Sequence, residues 1–241
     1  MNILGVRVDN FEKREILEKI EGFLSGDKLC QIATVNPEFI LEAQKNAEFK
    51  NILNACDLNV ADGIGIKFAF WKLGFQKLKA RISGVDLMEE ILKIANNRGL
   101  GVFLAVNKDG LSTWEETRDA ILRIYPNLYV EGINLDKNSI NSINYDLINN
   151  NCSIVLCNFG APYQEKFLYS LKSQKNAKIR LAMGVGGSFD FMNGKVRRAP
   201  KVMRLFGLEW LFRLIQQPNR FRRIFNAVII FPIKIIFSAR G

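Results

Sequence analysis

Short apolar runs alternating with amphipathic stretches govern what this chain can fold into. Runs that read as strands occur at residues 1–8, 29–35, 58–61, 101–106, 128–131, 153–159 and 178–183. Helical periodicity fills residues 10–25, 38–45, 48–55, 64–73 and 85–97, and helices are expected between the later strands as well. Asp9 is placed to cap the first helix, Phe11, Ile16, Ile20 and Phe23 to lie near one face of it, and Gly26 to stop it. Ser112 and Glu115 have the spacing of a capping box. Alternating β and α segments joined by short turns predict an α/β fold, a doubly wound, mainly parallel, Rossmann-like sheet. No linker interrupts residues 1–194, which are expected to form one domain; residues 195–241 read as a basic, amphipathic helical appendage.

Chemistry in such a sheet collects where the strands end. The run Leu58-Asn59-Val60-Ala61 closes on Asp62-Gly63, which would deliver one carboxylate to the carboxyl edge. Asp62 is therefore a candidate general base, and a plain turn or a helix cap is the alternative for the same residues. The strand at 29–35 ends in Thr34-Val35-Asn36-Pro37; the proline stops the ladder and holds Asn36 extended. Two later strands end in glycine-bearing loops, Phe159-Gly160-Ala161-Pro162-Tyr163-Gln164-Glu165 and Gly184-Val185-Gly186-Gly187-Ser188-Phe189-Asp190. Glycine there lets backbone N–H groups approach a phosphate or nucleotide, although neither spacing is a dinucleotide fingerprint or a Walker loop and both also suit ordinary βα turns.

Composition narrows the chemistry. The chain has no histidine, which excludes Ser-His and Cys-His nucleophile pairs, imidazole bases and His-ligated metals. Acid–base work then falls to carboxylates, Lys, Tyr or Cys. Cys30, Cys56, Cys152 and Cys157 are scattered, with no Cys-x-x-Cys pair, and read as reduced thiols of a cytosolic protein. The first residues lack the basic flank and long apolar run of a signal peptide.

Charge divides the chain. The net charge is +10, and residues 195–241 alone hold 11 Lys/Arg against the single acid Glu209, so the tail carries 11 − 1 = +10 and the preceding 194 residues are neutral. A neutral body with a basic end points to a polyanionic partner. Residues 201–217 can form one helix with Leu205, Leu208, Leu211, Phe212 and Ile215 on one face, ended by Pro218. After Arg220-Phe221-Arg222-Arg223 comes an apolar run at 224–237, interrupted by Pro232 and Lys234. As a helix it would span about 21 Å, short of the ~30 Å hydrocarbon core. Apolar side chains beside clustered arginine suit the interface of an anionic leaflet. Packing on its own domain or on a second copy, giving a homo-oligomer, is the alternative. No recognised nucleic-acid motif is present, and nucleic acid is not an expected partner.

Taken in order, Thr34-Val-Asn-Pro-Glu38, Ala61-Asp-Gly63, Arg81-Ile-Ser-Gly84, the two glycine loops, Arg197-Arg-Ala-Pro200, Gly207-Leu-Glu-Trp-Leu-Phe-Arg213 and Gln217-Pro-Asn-Arg220 resemble the WecG/TagA/CpsF glycosyltransferases. The resemblance runs from about residue 30 to 223, and its most distinctive stretch is residues 207–220. It implies an inverting, metal-independent transfer of an N-acetylhexosamine-type sugar, N-acetylmannosamine or its uronate, from a UDP-sugar. The implied acceptor is a polyprenyl-diphosphate-linked sugar at the cytoplasmic face of the membrane, in cell-envelope glycan synthesis such as teichoic acid or capsule. Asp62 would be the base, with Thr34, Asn36 and Arg81 beside it and Gln164 in the same pocket. Gly160, Gly186, Gly187 and Asp190 would serve substrate binding, as would Arg213, Arg220 and Arg223 of the appendage. No cofactor and no metal are expected, and arginines would take the diphosphate charge.

Two segments depart from the pattern. The turn after the strand at 101–106 reads Asn107-Lys108-Asp109-Gly110, with one glycine where relatives are glycine-rich, and Gly132-Ile133-Asn134-Leu135 lacks an aromatic. These loops bear on the donor sugar more than on the reaction class. The alternatives from other classes are a UDP-sugar transferase with a soluble acceptor and a dimerising tail, and a non-catalytic membrane-bound nucleotide-binding module.

Overall fold

The computed structural model describes residues 1–142, 148, 151–174 and 178–238. Its centre is a six-stranded sheet in which every pairing is parallel, in the order β4 (Leu58–Ala61), β3 (Cys30–Val35), β8 (Leu181–Gly184), β7 (Cys152–Cys157), β5 (Gly101–Asn107), β6 (Val130–Leu135). The sequence neighbours β3 and β4, β5 and β6, and β7 and β8 pair directly, and after β4, at one edge, the chain crosses to β5 in the other half. The doubly wound α/β reading therefore holds. The strands are apolar because both faces are covered. Along β5, Val102, Leu104 and Val106 enter one core, while Phe103 and Ala105 enter the core on the other face.

Helices α1 (Lys13–Ser25), α5 (Gly84–Arg98) and α6 (Trp114–Ile124) supply Ile16, Ile20, Leu87, Ile91 and Ile121 to the first core. The opposite face is covered by α2 (Pro37–Ala43), α3 (Ala47–Ala55), α4 (Ile64–Lys72) and α7 (Tyr163–Ser170). A short helix, α8 (Ser188–Met192), follows the last strand.

Local differences from the sequence expectation have identifiable causes. Residues 1–8 are not a sheet strand but an antiparallel hairpin, β1 (Asn2–Ile3) with β2 (Val6–Arg7). It turns at Leu4 and Gly5, whose φ values of 50° and 82° match the twist of a two-residue hairpin turn. Asp9 does not cap α1; its carboxylate accepts from the Asn59 N–H at 2.8 Å, and Glu12 and Glu15 close a capping box instead. The box on α6 is shifted by one residue, to Thr113 and Glu116, which frees the Ser112 hydroxyl to donate to Asp190 at 2.8 Å. Of the helix expected between β6 and β7, Lys137–Ser142 is a 3₁₀ turn, and residues 143–147 and 149–150 lie outside the described residues.

The tail is not one helix over residues 201–217. Helix α9 (Lys201–Leu205) stops at Gly207, in the left-handed region with φ 74°, and the Leu208 N–H closes back on the Met203 carbonyl at 2.8 Å. Helix α10 (Glu209–Gln216) then runs to the turn at Pro218. Helix α11 (Phe221–Phe225), a π-helical turn over Asn226–Ile230 and α12 (Phe231–Ser238) follow as one helical run. Phe231 and Ile235 are fully buried in the core shared by α2 and α4, so this part of the tail packs on its own body. Its outward side keeps Phe221, Phe225, Ile229, Ile233 and Phe237 exposed. No helix among the described residues is long and apolar enough to cross a membrane.

Candidate active site

The carboxyl ends of five strands open into a cleft of about 590 Å³. Thr34, Asn36, Asp62, Gly160, Gln164, Gly186, Gly187, Asp190, Arg213, Arg220 and Arg223 all line it. Arg81 does not; it lies on the other side of Asp62, where its Nη2 donates to the Arg204 carbonyl at 2.9 Å.

Asp62 is placed by its backbone. Its N–H donates to the Val35 carbonyl at 2.8 Å, one last sheet-like bond beyond β4. Gly63 then turns away with φ 86°, a conformation that an L side chain rarely adopts, and α4 begins at once. The carboxylate keeps part of its surface open to the cleft but is otherwise enclosed. Burial pushes its pKa up to about 7, and the nearby Glu209 adds to the rise; Arg81, the Gly84 N–H and Arg213 pull the other way. A carboxylate with that pKa is a far better proton acceptor than an exposed one and is still largely ionised slightly above neutrality.

Two neighbours come from β3. Asn36 caps α2, its Oδ1 accepting from the Phe39 N–H at 3.1 Å, so its amide nitrogen is the half left for a ligand. Thr34 is nearly buried at the floor.

Gln164 ties the two glycine loops together. Its Oε1 accepts from the Gly160 N–H at 3.0 Å and the Gly186 N–H at 3.1 Å, and its Nε2 donates to Glu165 at 2.7 Å. Both side chains are buried, and burial raises the Glu165 pKa to about 7. The second Glu165 carboxyl oxygen has no partner among the described residues. Gly184 is needed here for space, since a Cβ would overlap the Gln164 amide.

The cationic wall comes from the tail. A Cβ on Gly187 would sit 2.8 Å from Arg213 Nη2, so glycine there admits the guanidinium. Arg213 also stacks on Phe191, 5.1 Å from the ring centroid. Burial lowers the pKa of Arg213, and it brings Arg220 down to about 10, with Arg213 and Arg223 adding to the fall. Neither Arg213 nor Arg220 forms an ion pair among the described residues, whereas Arg223 is held by Glu38 at 2.7 Å. Two half-buried, like-charged guanidiniums, with Glu38 and Asp190 near but not ion-paired to them, favour an anion that comes between them. Among the described residues no three His, Cys, Asp or Glu side chains converge as a metal site.

Some site residues were not singled out from sequence. Asn107 and Asn158 line the cleft, and Asn158 Oδ1 accepts from the Asn107 N–H at 2.6 Å. Glu209 reaches Asp62 from the tail; its signal was present, as the single acid among the tail's cations. Arg198 anchors the tail, donating to Ser83 at 3.0 Å and pairing with Asp86 at 2.7 Å.

Comparison with known proteins shows the family of the chain. The profile of the "Glycosyl transferase WecG/TagA/CpsF family" matches residues 1–241. The chain is similar to the Bacillus subtilis (strain 168) N-acetylglucosaminyldiphosphoundecaprenol N-acetyl-beta-D-mannosaminyltransferase, with 31% identity over 224 residues, covering 91% of this chain and 81% of that protein. A family match over the whole chain, together with this similarity, places the protein in the WecG/TagA/CpsF glycosyltransferase family.

Proposed function

We propose that the protein moves an N-acetylhexosamine of the N-acetylmannosamine type from a UDP-sugar to a polyprenyl-diphosphate-linked sugar, with inversion and without a metal. The observation that carries the reading is Asp62, with its raised pKa, in a cleft that also holds the unpaired Arg213 and Arg220. In the reaction, the Asp62 carboxylate takes the proton of the acceptor hydroxyl. That oxygen bonds to the anomeric carbon as the bond from carbon to the diphosphate oxygen breaks, and UDP leaves with the electron pair. Arg213 and Arg220 meet the charge that develops on the diphosphate, a role that a divalent ion fills elsewhere.

The similar Bacillus subtilis protein supports the substrate class, since its name specifies a diphosphoundecaprenol acceptor and a β-D-mannosaminyl product. From an α-linked UDP-sugar, a β product requires inversion. A lipid-linked acceptor also suits the tail, where Val202, Leu205, Phe206, Ile215 and Phe221 are exposed among lysines and arginines. Such a surface fits peripheral docking on an anionic leaflet, at the inner face of the cell membrane. A screen of UDP-sugars with N-acetylglucosamine diphosphate on a polyprenyl carrier, reading UDP release, tests the proposal. UDP-N-acetylmannosamine or its uronate should release UDP in an acceptor-dependent way without added metal; release that ignores the acceptor would contradict it.

A further inference from the structure

Asp62 borders the large cleft and two smaller spaces. Behind it, away from the large cleft, lies a cavity of about 180 Å³ between the start of α4 and the tail. Its walls are less polar than those of the cleft: Ile64, Trp210, Ala227 and Val228 are apolar, the last two from the π-helical turn, and the carboxylates Asp62, Asp86 and Glu209 also border it. Helical irregularities of that kind are frequent at functional sites. A connecting space of about 160 Å³ shares Trp210 and Ala227 with this cavity and Arg213 and Arg220 with the cleft, and Asp62 and Glu209 border all three.

Cations stand at the small cavity too. Arg81 and Arg204 line it; Arg204 reaches Asp86 only at 3.9 Å, and its Nε is buried without a partner among the described residues. Next along the chain, Leu205 and Phe206 are 80% and 70% exposed, so an apolar outer surface begins where the arginine ends.

We propose that this cavity is the acceptor-side subsite. The assignment rests on the transfer reading, because an inverting displacement needs the acceptor hydroxyl, held beside the base, to meet the anomeric carbon on the face opposite the departing diphosphate. The acceptor sugar sits against Trp210 with its hydroxyl at Asp62, its diphosphate meets Arg81 and Arg204, and its isoprenoid chain leaves over Leu205 and Phe206. The arginines are thereby divided: Arg213 and Arg220 serve the donor diphosphate, Arg81 and Arg204 the acceptor diphosphate. The volume agrees, being well below the roughly 300–1,000 Å³ of a pocket that holds a whole drug-sized ligand and so suited to one sugar ring rather than a nucleotide.

The test uses the full chain and a short-chain polyprenyl-diphosphate N-acetylglucosamine in detergent micelles. Its affinity is measured in the presence of UDP, alongside the affinity for UDP itself and the transfer rate. Ala227→Phe fills the cavity, and acceptor affinity should fall about tenfold or more while UDP affinity stays within about twofold. Arg204→Met should weaken acceptor binding and flatten its salt dependence. Unchanged UDP affinity shows that each variant is folded; should Ala227→Phe lose it, Val228→Trp replaces that variant. Wild-type acceptor affinity in the filled variants would overturn the subsite and leave the transfer reading standing. Acceptor binding without transfer in the wild type, lost on filling the cavity, would keep the subsite and refute the transfer reading. No acceptor binding by the wild type would refute both.

Discussion

Replacing Asp62 by asparagine should make the protein more stable while it loses its chemistry. In the folded chain the Asp62 pKa is about 7, against an ordinary value of 3.8, because burial penalises the charged form. The folded state therefore holds this proton more tightly than the unfolded chain does, and stability falls as pH rises from about 4 to about 7. A shift of about three units corresponds to about 4 kcal/mol above pH 8, and access of the carboxylate to the cleft halves that to about 2 kcal/mol. Asparagine has the same shape, no charge, and an oxygen that can keep the Gly84 N–H. For a chain of this size the gain is a Tm rise of about 4–8 °C at pH 8.5, shrinking to roughly a third of that at pH 5, where Asp62 is mostly protonated in the folded state. Scanning calorimetry of both proteins across that range reads the effect directly. A variant no more stable than the wild type at pH 8.5, or a gain that does not shrink toward pH 5, would refute the idea that a desolvated charge is held there for its basicity.

Other substitutions separate positioning from contact. Glu165→Ala should loosen both glycine loops through Gln164, raising the KM for the UDP-sugar more than it lowers kcat, and Glu165→Gln should restore most of the loss; equal damage from both variants would show that a charge is required. Arg220→Ala should lower kcat/KM about 10²-fold without lowering Tm, because its guanidinium is half-buried beside other cations; a Tm loss in proportion would make Arg220 a structural residue. Membrane docking is best probed with the exposed residues, since removing the tail would uncover the core around Phe231 and Ile235. Leu205→Ser combined with Phe206→Ser should cut sedimentation with anionic vesicles several-fold at unchanged Tm; unaltered sedimentation would move the docking surface elsewhere.

Much of the fold was legible because strands buried on both faces leave continuous apolar runs, and each run here ends in a residue that stops it. Asp62, Pro37 and the two glycine loops were visible for that reason. What the sequence concealed depends on long-range partners. Residues 1–8 have the composition of a strand, and only the pairing of Asn2 with Arg7 and Ile3 with Val6 shows a hairpin. Ser112 and Thr113 are equally good caps locally; the distant Asp190 takes the first and leaves the second. Gly207 was read as part of a helix, because apolar periodicity runs through it, whereas its left-handed turn swings α10 so that Glu209 meets Asp62 and Arg213 meets Gly187. Arg81 and Arg213 border different spaces around the carboxylate, Arg81 the smaller cavity and Arg213 the cleft, which no local pattern encodes.

The most direct test of the central claim is a single-turnover reaction of the purified full chain with UDP-N-acetylmannosamine and a polyprenyl-diphosphate N-acetylglucosamine, with the lipid product identified by mass spectrometry. The wild type should form the disaccharide lipid with a chelator present. Asp62→Asn, binding UDP as well as the wild type, should form it about 10²–10⁴-fold more slowly, the usual range for losing a general base. Product formation by Asp62→Asn at the wild-type rate would contradict the assignment of Asp62 as the base.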